Sequence, residues 1–220
     1  MANFFVVIKL KGSIMKRLFM ISVIALITIY GMSAREYTLY SGNAYCYNDW
    51  TDGLEPTTFL IKGKTDSSHM YLTTKNRYGD TILISFNDSE LEIIKNAMIK
   101  YQEWVKIAKD NKLDVEKDIP KYAIKRSDVT MRATNGNSYG GSGIELYFGI
   151  ISQNKERYQF YIYSNVVSSN ENQFVKIEME TLYLDETDVA NFLENTNLEK
   201  FTTMRTEQSN MKKLADKLLK

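Results

Sequence analysis

The 220-residue sequence predicts an α+β fold, in which an antiparallel β-sheet is covered by a long amphipathic helix. Two groups of short segments alternate apolar and polar residues, as half-buried strands do. A long segment between them instead repeats its apolar residues every three or four positions. The order of strands, helix, strands and helix lacks the regular alternation of a parallel doubly wound sheet, and therefore favours antiparallel pairing.

The first group of predicted strands follows residue 34. The segment "REYTLYSGNAYCYN" predicts one or two strands, and "TTFLIKG", "MYLTTK" and "TILISF" predict three more. The links "KTDSS" and "NRYGD" between them are rich in turn-forming residues. We therefore expect the first half of the chain to form a series of hairpins.

A long amphipathic helix is predicted from Glu90 to Asn111. Asn87 is its N-cap, and Glu90, three residues later, is the capping-box partner. We expect one face of the helix to pack on the sheet, because the other face is charged or polar. The apolar stripe consists of Leu91, Ile94, Met98, Tyr101, Val105 and Ala108, widened by Ala97, Trp104 and Ile107.

The second group of predicted strands follows the helix. The segment "LDVEKDIP" is a polar connection, after which "KYAIKRSDVTMRAT" resumes the strand pattern. The strongest strand patterns are "GIELYFGIIS", "RYQFYIYS" and "QFVKIEMETLYL". In the last of these, Val175, Ile177 and Met179 alternate with charged residues, which indicates a sheet with one solvated face.

A second, shorter helix is predicted to start at Asp185, with Val189, Phe192 and Leu193 on its inner side. The junction "LDETDV" that opens it matches "FNDSEL" before the long helix in residue character, with Asp185 at the cap position that Asn87 has in the long helix. The match fits an old duplication, or the general preference of helix starts for oxygen-bearing side chains. One domain is expected from residue 35 to 202, followed by a C-terminal helical tail over 203–220.

The N-terminal region predicts export. Residues 15–34 combine Lys16 and Arg17, an uncharged apolar run and small residues at its end, which is the pattern of a signal peptide. Residues 1–14 then precede the true start and are a mis-assigned extension. The alternative is an uncleaved anchor, but the apolar run is shorter than the roughly 20 residues that span a bilayer. Periplasm, cell surface and medium all remain open as destinations.

The composition excludes two classes of partner. Removing residues 1–34 removes four of the 28 basic residues and no acid, so 24 basic and 27 acidic residues remain and the net charge is −3. A slightly acidic chain lacks the clustered positive charge that nucleic acids require. It also offers no polybasic patch for a membrane surface, so any membrane contact is through an uncleaved signal segment.

Two predicted loops, residues 43–56 and 134–143, concentrate aromatic, amide and glycine residues. The first places aromatic rings beside carboxylates, which suits a bound sugar but also a strand end followed by a turn, with the aromatic rings in the core. The second lacks the helix that follows the glycines of phosphate loops and nucleophile elbows, and fits a hairpin loop. The candidate binding residues are Tyr45, Tyr47, Trp50, Asp52, Asn137 and Tyr139.

The residues favour a binding protein over an enzyme. His69 is the sole histidine and suits a surface or strand edge, while Cys46, the sole cysteine, suits a buried position better than a reactive thiol. No catalytic residue, metal or cofactor is therefore predicted. The hypothesis is a non-enzymatic module of the cell envelope that binds a protein or a glycan. The alternative is a carboxylate-dependent hydrolase of envelope or extracellular polysaccharide.

Export is tested by sequencing the N-terminus of protein isolated from the cell envelope or medium. We expect it to begin at Ala34 or Arg35, because cleavage there follows the small residues that end the apolar run. An N-terminus at Ala2 or Met15 would contradict the signal-peptide prediction.

Overall fold

A computed structural model describes residues 36–48, 51–64 and 67–218. Antiparallel strands are the predominant secondary structure of these residues, and three α-helices follow or interrupt them. The elements are β1 Glu36–Asn48, β2 Gly53–Lys64, β3 Met70–Lys75, β4 Thr81–Phe86, α1 Asp88–Asn111, β5 Glu116–Asp118, a 3₁₀ turn Pro120–Tyr122, β6 Ile124–Arg132, β7 Ser138–Gln153, β8 Arg157–Ser164, β9 Val167–Ser168, β10 Lys176–Ile177, β11 Leu182–Asp185, α2 Glu186–Asn195 and α3 Leu198–Leu218.

The main sheet closes on itself as a β-barrel of eight strands. Its order is β7-β6-β4-β3-β2-β1-β11-β8, and β8 pairs back with β7, so the ring has no open side. The predicted α+β fold, an antiparallel sheet covered by a long helix, is therefore wrong, although the antiparallel pairing is confirmed. Alternation along a strand shows which face is buried, but it does not show which distant strand lies beside it.

Closure depends on the length of β7, which has neighbours on both edges. Its first part, Ser138–Leu146, pairs with β6, and its last part, Leu146–Gln153, pairs with β8. Where β6 is no longer alongside, β5 takes its place and pairs with residues 149–151. The sequence prediction missed β5, since its three residues are charged and exposed and belonged to the expected polar connection.

The interior of the barrel is filled by the inward side chains of all eight strands. Phe59, Ile84, Phe160 and Leu182 are each fully buried and belong to a single core cluster. A barrel of eight strands has an interior just wide enough for such side chains. The barrel is therefore packed by its own inward residues, and the outward residues of its strands are free to face solvent.

Helix α1 confirms the predicted long helix and its cap. Asn87 and Glu90 form the capping box, with the Asn87 side chain accepting from the Glu90 amide at 3.1 Å. The ring of Tyr101 packs edge-on against Phe160, and its hydroxyl donates to the Tyr158 carbonyl oxygen at 2.7 Å. These contacts join the helix to the same core as the barrel interior.

The predicted apolar stripe of α1 is too wide on one side. Ala97 is buried, but Trp104 is only partly buried and Ile107 is 55% exposed. The ammonium of Lys117 in β5 lies 4.9 Å from the Trp104 ring, which places this ring at the margin of the core. The helix buries a narrower face because only one arc of its surface meets the barrel.

Helix α2 follows β11 and contributes Val189 and Phe192 to the core. The Phe192 ring lies 4.8 Å from Tyr40 and 5.7 Å from Phe59, centroid to centroid. The predicted cap residue Asp185 does not cap α2 through its side chain, since its carboxylate accepts hydrogen bonds from Arg157 instead. The likeness of the two helix starts therefore does not extend to their hydrogen bonds.

Helix α3 begins at Leu198 and includes residues 203–218 of the predicted tail. Its Phe201 ring lies against Gly63 of β2, where a Cβ atom would fall 2.2 Å from the ring. A glycine is required there because any side chain would push the helix away from the barrel. Met211 and Leu214, two apolar residues of this region, are exposed.

The predicted strand over residues 173–184 is divided in the structure. Lys176–Ile177 pairs with β9 in a small separate sheet, whereas Leu182–Asp185 belongs to the barrel. The buried positions Ile177 and Met179 agree with the predicted alternation. Residues 178–181, between the two strand segments, are not in a strand. In this stretch the Met179 amide donates to the Ser164 hydroxyl at 3.0 Å.

Strand direction places three hairpin turns at one end of the barrel and the starts of two helices at the other. Because neighbours run antiparallel, the β1–β2, β3–β4 and β6–β7 connections share one end, and α1 and α2 begin at the other. At the turn end, Arg77 donates to the Glu180 carboxylate at 2.7 and 3.1 Å, and Ile177 lies over Gly141. The small β9–β10 sheet thus packs over this end of the core.

The predicted signal segment, residues 15–34, and the extension before it lie outside the described residues. Within the described ranges, no helix combines the length and the apolar character that crossing a membrane requires.

Two phenylalanines test the packing described above. Replacing Phe192 by Ala should lower the free energy of unfolding by about 3–5 kcal/mol, since its ring is fully buried. The matched change Phe174→Ala should alter it by less than about 0.5 kcal/mol, because that ring is 84% exposed. Urea denaturation measures both values, and equal effects would contradict the placement of α2.

Candidate functional site

The two predicted binding loops lie at the same end of the barrel, but residues 43–48, 53–56 and 138–143 are strand residues of β1, β2 and β7, so the loops are shorter than predicted. The β3–β4 turn is between them, and Asp80 in this turn accepts a hydrogen bond from the Thr134 amide at 3.0 Å. Their aromatic and polar residues interact mainly within each loop: the Tyr47 hydroxyl donates to Asp52, and the Asn137 amide donates to the Tyr139 hydroxyl at 3.3 Å. Trp50 lies outside the described residues.

Tyr45 lies on the outer side of β1 together with Tyr47, two residues nearer the turn, and it alone among the described candidate residues has a neighbour in β11. Strand register places Tyr45 opposite Tyr183, and Tyr183 opposite Tyr161, on the outer side of β1, β11 and β8. Tyr163 and Tyr147 form a second outward pair between β8 and β7. We call these five outward rings the tyrosine face.

Gly149 allows the tyrosine face to extend towards β5. It lies opposite Tyr161, and a Cβ atom at Gly149 would be 2.1 Å from the tyrosine ring. The ring therefore crosses the backbone of β7, and its hydroxyl donates to Asp118 Oδ1 at 2.8 Å. Tyr163 also donates to this carboxylate, at 3.3 and 3.4 Å to its two oxygen atoms.

An open groove of about 490 Å³ runs along this surface, and we call it the tyrosine groove. Two carboxylates on the same side of β5 border it, with three tyrosine rings opposite. The ring of Tyr163 also stacks on Tyr147 with centroids 5.1 Å apart, and the Tyr147 hydroxyl donates to Glu145. The groove is lined by Glu116, Lys117, Asp118, Ile151, Tyr161, Tyr163, Thr181 and Tyr183.

The surroundings keep these tyrosines protonated. Burial, followed by the hydrogen bond to Asp118, raises the pKa of Tyr161 far above its usual value. Burial and the Asp118 charge raise the pKa of Tyr163, and burial and Glu116 raise that of Tyr183. The hydroxyls of Tyr161 and Tyr163 therefore remain donors to Asp118 at neutral pH, and these hydrogen bonds hold both rings in a fixed orientation.

Arg157 closes one side of the tyrosine face. Its guanidinium lies 5.3 Å from the Tyr45 ring centroid and donates to both oxygens of Asp185, at 3.0 and 2.9 Å. The hydrogen bonds to Asp185 raise the pKa of Arg157, so the group is charged. A cation is thus already held on this face by one ring and one carboxylate.

A second groove, between β1 and α2, is polar and contains one carboxylate among its lining residues. Asn43, Asn191 and Asn195 supply amides there, and burial raises the pKa of the Asp188 carboxyl. Burial together with Asp188 raises the pKa of Tyr40 to about 12. This groove has hydrogen-bonding groups but no exposed aromatic ring among the residues that line it.

The two residues considered for nucleophilic chemistry are poorly placed for it. Burial raises the pKa of the Cys46 thiol, with the nearby charges of Glu180 and Glu55 adding to the effect, so the thiolate is disfavoured. His69 is exposed, and its Nδ1 lies 3.4 Å from the Ser85 hydroxyl, beyond the 2.6–3.2 Å of an activated pair.

The sequence prediction missed the tyrosine groove because its residues come from four separate segments. One signal was present: in "RYQFYIYS", Tyr161 and Tyr163 alternate with the buried Phe160 and Ile162 and so share the solvent side. Their neighbours across the strands follow only from the register. Glu116 and Asp118 carried no such signal, since β5 resembles a polar loop.

In the part of the chain that the structure describes, no group of three or more His, Cys, Asp or Glu side chains is placed to hold a metal ion. Comparison with known protein families, with characterised proteins and with solved structures finds no match to this chain.

The hydrogen bonds of Asp118 are tested by alkaline titration of tyrosine absorbance. Asp118→Asn should lower the pKa values of Tyr161 and Tyr163, because the amide removes a negative charge beside the phenolates. Asp110→Asn, an exposed change of the same type on α1, should leave them unchanged.

The same shifts determine stability at high pH. The pKa values of Tyr161 and Tyr163 are higher in the folded than in the unfolded protein. Their contribution to the free energy of unfolding is therefore complete below the unfolded pKa of about 10, and it is lost as the pH rises towards the folded pKa values. Asp118→Asn should reduce this alkaline loss. Identical titration curves for the parent and Asp118→Asn would contradict the hydrogen bonds described here.

Proposed function

We propose that the protein is a non-enzymatic binding module of the cell envelope, and that its contact surface is the tyrosine face. The observation that carries this proposal is the open groove in which Tyr161, Tyr163 and Tyr183 face solvent beside carboxylates. Tyrosine is enriched at binding surfaces because its ring covers a large area and its hydroxyl tolerates water. The same residues contribute little to the core, which the inward faces already fill.

The rigidity of the tyrosine face supports binding further. The hydroxyls of Tyr161 and Tyr163 are held by Asp118, and that of Tyr147 is held by Glu145. Ring orientations fixed before contact reduce the conformational entropy that binding would otherwise cost. The tyrosine rings are therefore already oriented before a partner binds.

A carboxylate-dependent hydrolase is the alternative, because Glu116 and Asp118 both border the groove. These residues are two positions apart on one strand, so their Cα atoms are about 6.6 Å apart and the side chains point the same way. A glycosidase instead places its two carboxylates on opposite sides of the bond to be cleaved. The groove geometry therefore favours binding over hydrolysis.

The location is proposed from the sequence. The basic, apolar and small residues of segment 15–34 support export to the periplasm, surface or medium. The predicted binding loops at the turn end, with Tyr47, Asp52, Asn137 and Tyr139, are proposed as a secondary contact region.

Affinity capture from envelope extract tests the proposed surface. The purified protein should capture a partner from the extract. The double variant Tyr161→Ala/Tyr163→Ala should capture at least about tenfold less of it, because both rings are removed from the groove. The control Tyr78→Ala removes a ring that is 74% exposed on the β3–β4 turn and should keep the partner. Circular dichroism and urea denaturation verify that all variants are folded.

Equal capture by the double variant would contradict the tyrosine face as the contact surface. A glycan array, followed by product analysis, examines the alternative. Turnover of any glycan that Asp118→Asn or Glu116→Gln abolishes would replace the binding proposal with hydrolysis.

A further inference from the structure

The tyrosine groove carries negative charge that the described residues do not neutralise. Glu116 and Asp118 line it, and within the described ranges neither forms an ion pair with Lys or Arg. The nearby ammonium of Lys117 lies over the Trp104 ring, and Arg157 is paired with Asp185. The groove is therefore suited to positive charge.

The ring faces add to this preference. A tyrosine ring has a negative face, and a cation within about 6 Å of its centre is attracted to it. Because the hydroxyls of Tyr161 and Tyr163 are bonded to Asp118, their ring faces stay fixed around the carboxylate. Ring faces and carboxylates together attract a cation more strongly than either group alone.

The same surface already holds one cation in this manner. Arg157 lies over Tyr45 while donating to both oxygens of Asp185, so one guanidinium is bound by a ring and a carboxylate. The groove repeats both components, with Tyr161, Tyr163 and Tyr183 as rings and two carboxylates on β5. At Tyr45 the cation is Arg157 of the chain itself, whereas no described Lys or Arg side chain supplies a cation to the groove in this way.

We infer that the tyrosine groove binds a positively charged segment of a partner protein, with one or more arginine or lysine side chains placed against the ring faces and beside the carboxylates of Glu116 and Asp118. This inference rests on the proposed function and names its partner class. The volume of the groove, about 490 Å³, lies within the roughly 300–1,000 Å³ of small-molecule binding sites. Anionic partners such as nucleic acids, acidic polysaccharides and anionic lipid surfaces are disfavoured by the same charges.

Isothermal titration calorimetry with defined probes tests the inference. Hexa-arginine and hexalysine represent the cationic side chains, hexaglutamate is the charge-reversed peptide, and chitohexaose is a neutral glycan. The purified protein should bind a cationic peptide, more weakly as salt increases, and should bind neither of the other probes. Tighter binding of hexa-arginine would indicate that guanidinium stacking matters, whereas equal binding would indicate charge alone at the ring faces.

Two double variants separate the groove from net charge. Glu116→Gln/Asp118→Asn should weaken binding of the cationic peptide by at least about tenfold. Glu92→Gln/Asp110→Asn changes the total charge equally on the solvent side of α1 and should leave binding unchanged. Tyr161→Ala/Tyr163→Ala should also weaken binding, although it keeps both carboxylates.

An equal loss in the two charge variants, binding of chitohexaose in preference to the peptides, or no peptide binding would each overturn the inference. Those results would leave the proposed function standing if capture of the natural partner still required Tyr161 and Tyr163. If capture of the natural partner is also unaffected by the Tyr161→Ala/Tyr163→Ala variant, both proposals fail.

Discussion

Closure of the sheet is the constraint on which the rest of the molecule depends. Once β8 pairs with β7 and β11 joins β8 to β1, the inner faces of eight strands enclose the core. Helices α1 and α2 add Tyr101 and Phe192 to this core at one end, and the β9–β10 sheet covers the other. Because the interior is filled in this way, large side chains on the outer side of β7, β8 and β11 are not needed for packing.

The outer side of the barrel therefore carries large side chains that the core does not require, and these form the tyrosine face. Four strands contribute tyrosine rings at matching register positions, and Gly149 leaves room for Tyr161 to reach Asp118 across β7. This arrangement is specified by register, since a shift of one residue in β8 would turn Tyr161 and Tyr163 inwards. The candidate site and the barrel are thus consequences of the same strand pairing.

Local features of the chain were predictable, and its long-range arrangement was not. Helix α1 and the Asn87 cap follow from spacing within one segment, and the burial of Ile177 and Met179 follows from alternation. Closure depends on pairings between distant strands, which leave no local pattern. For the same reason only Tyr45 of the tyrosine face was among the predicted binding residues, and Asp185 was expected to cap α2 although its carboxylate is bonded to Arg157.

The seam between β1 and β11 tests the closed barrel most directly, because it is short: Tyr45 pairs with Tyr183, and Cys46 with Leu182. Nuclear Overhauser measurements on isotope-labelled protein detect backbone protons that approach across such a seam, and amide exchange reports their protection. We expect contacts between the backbone protons of Tyr45 and Tyr183 and slow exchange along both strands. Absence of these contacts, with rapid exchange at β1 and β11, would show an open sheet and contradict both the closure and the tyrosine face built on it.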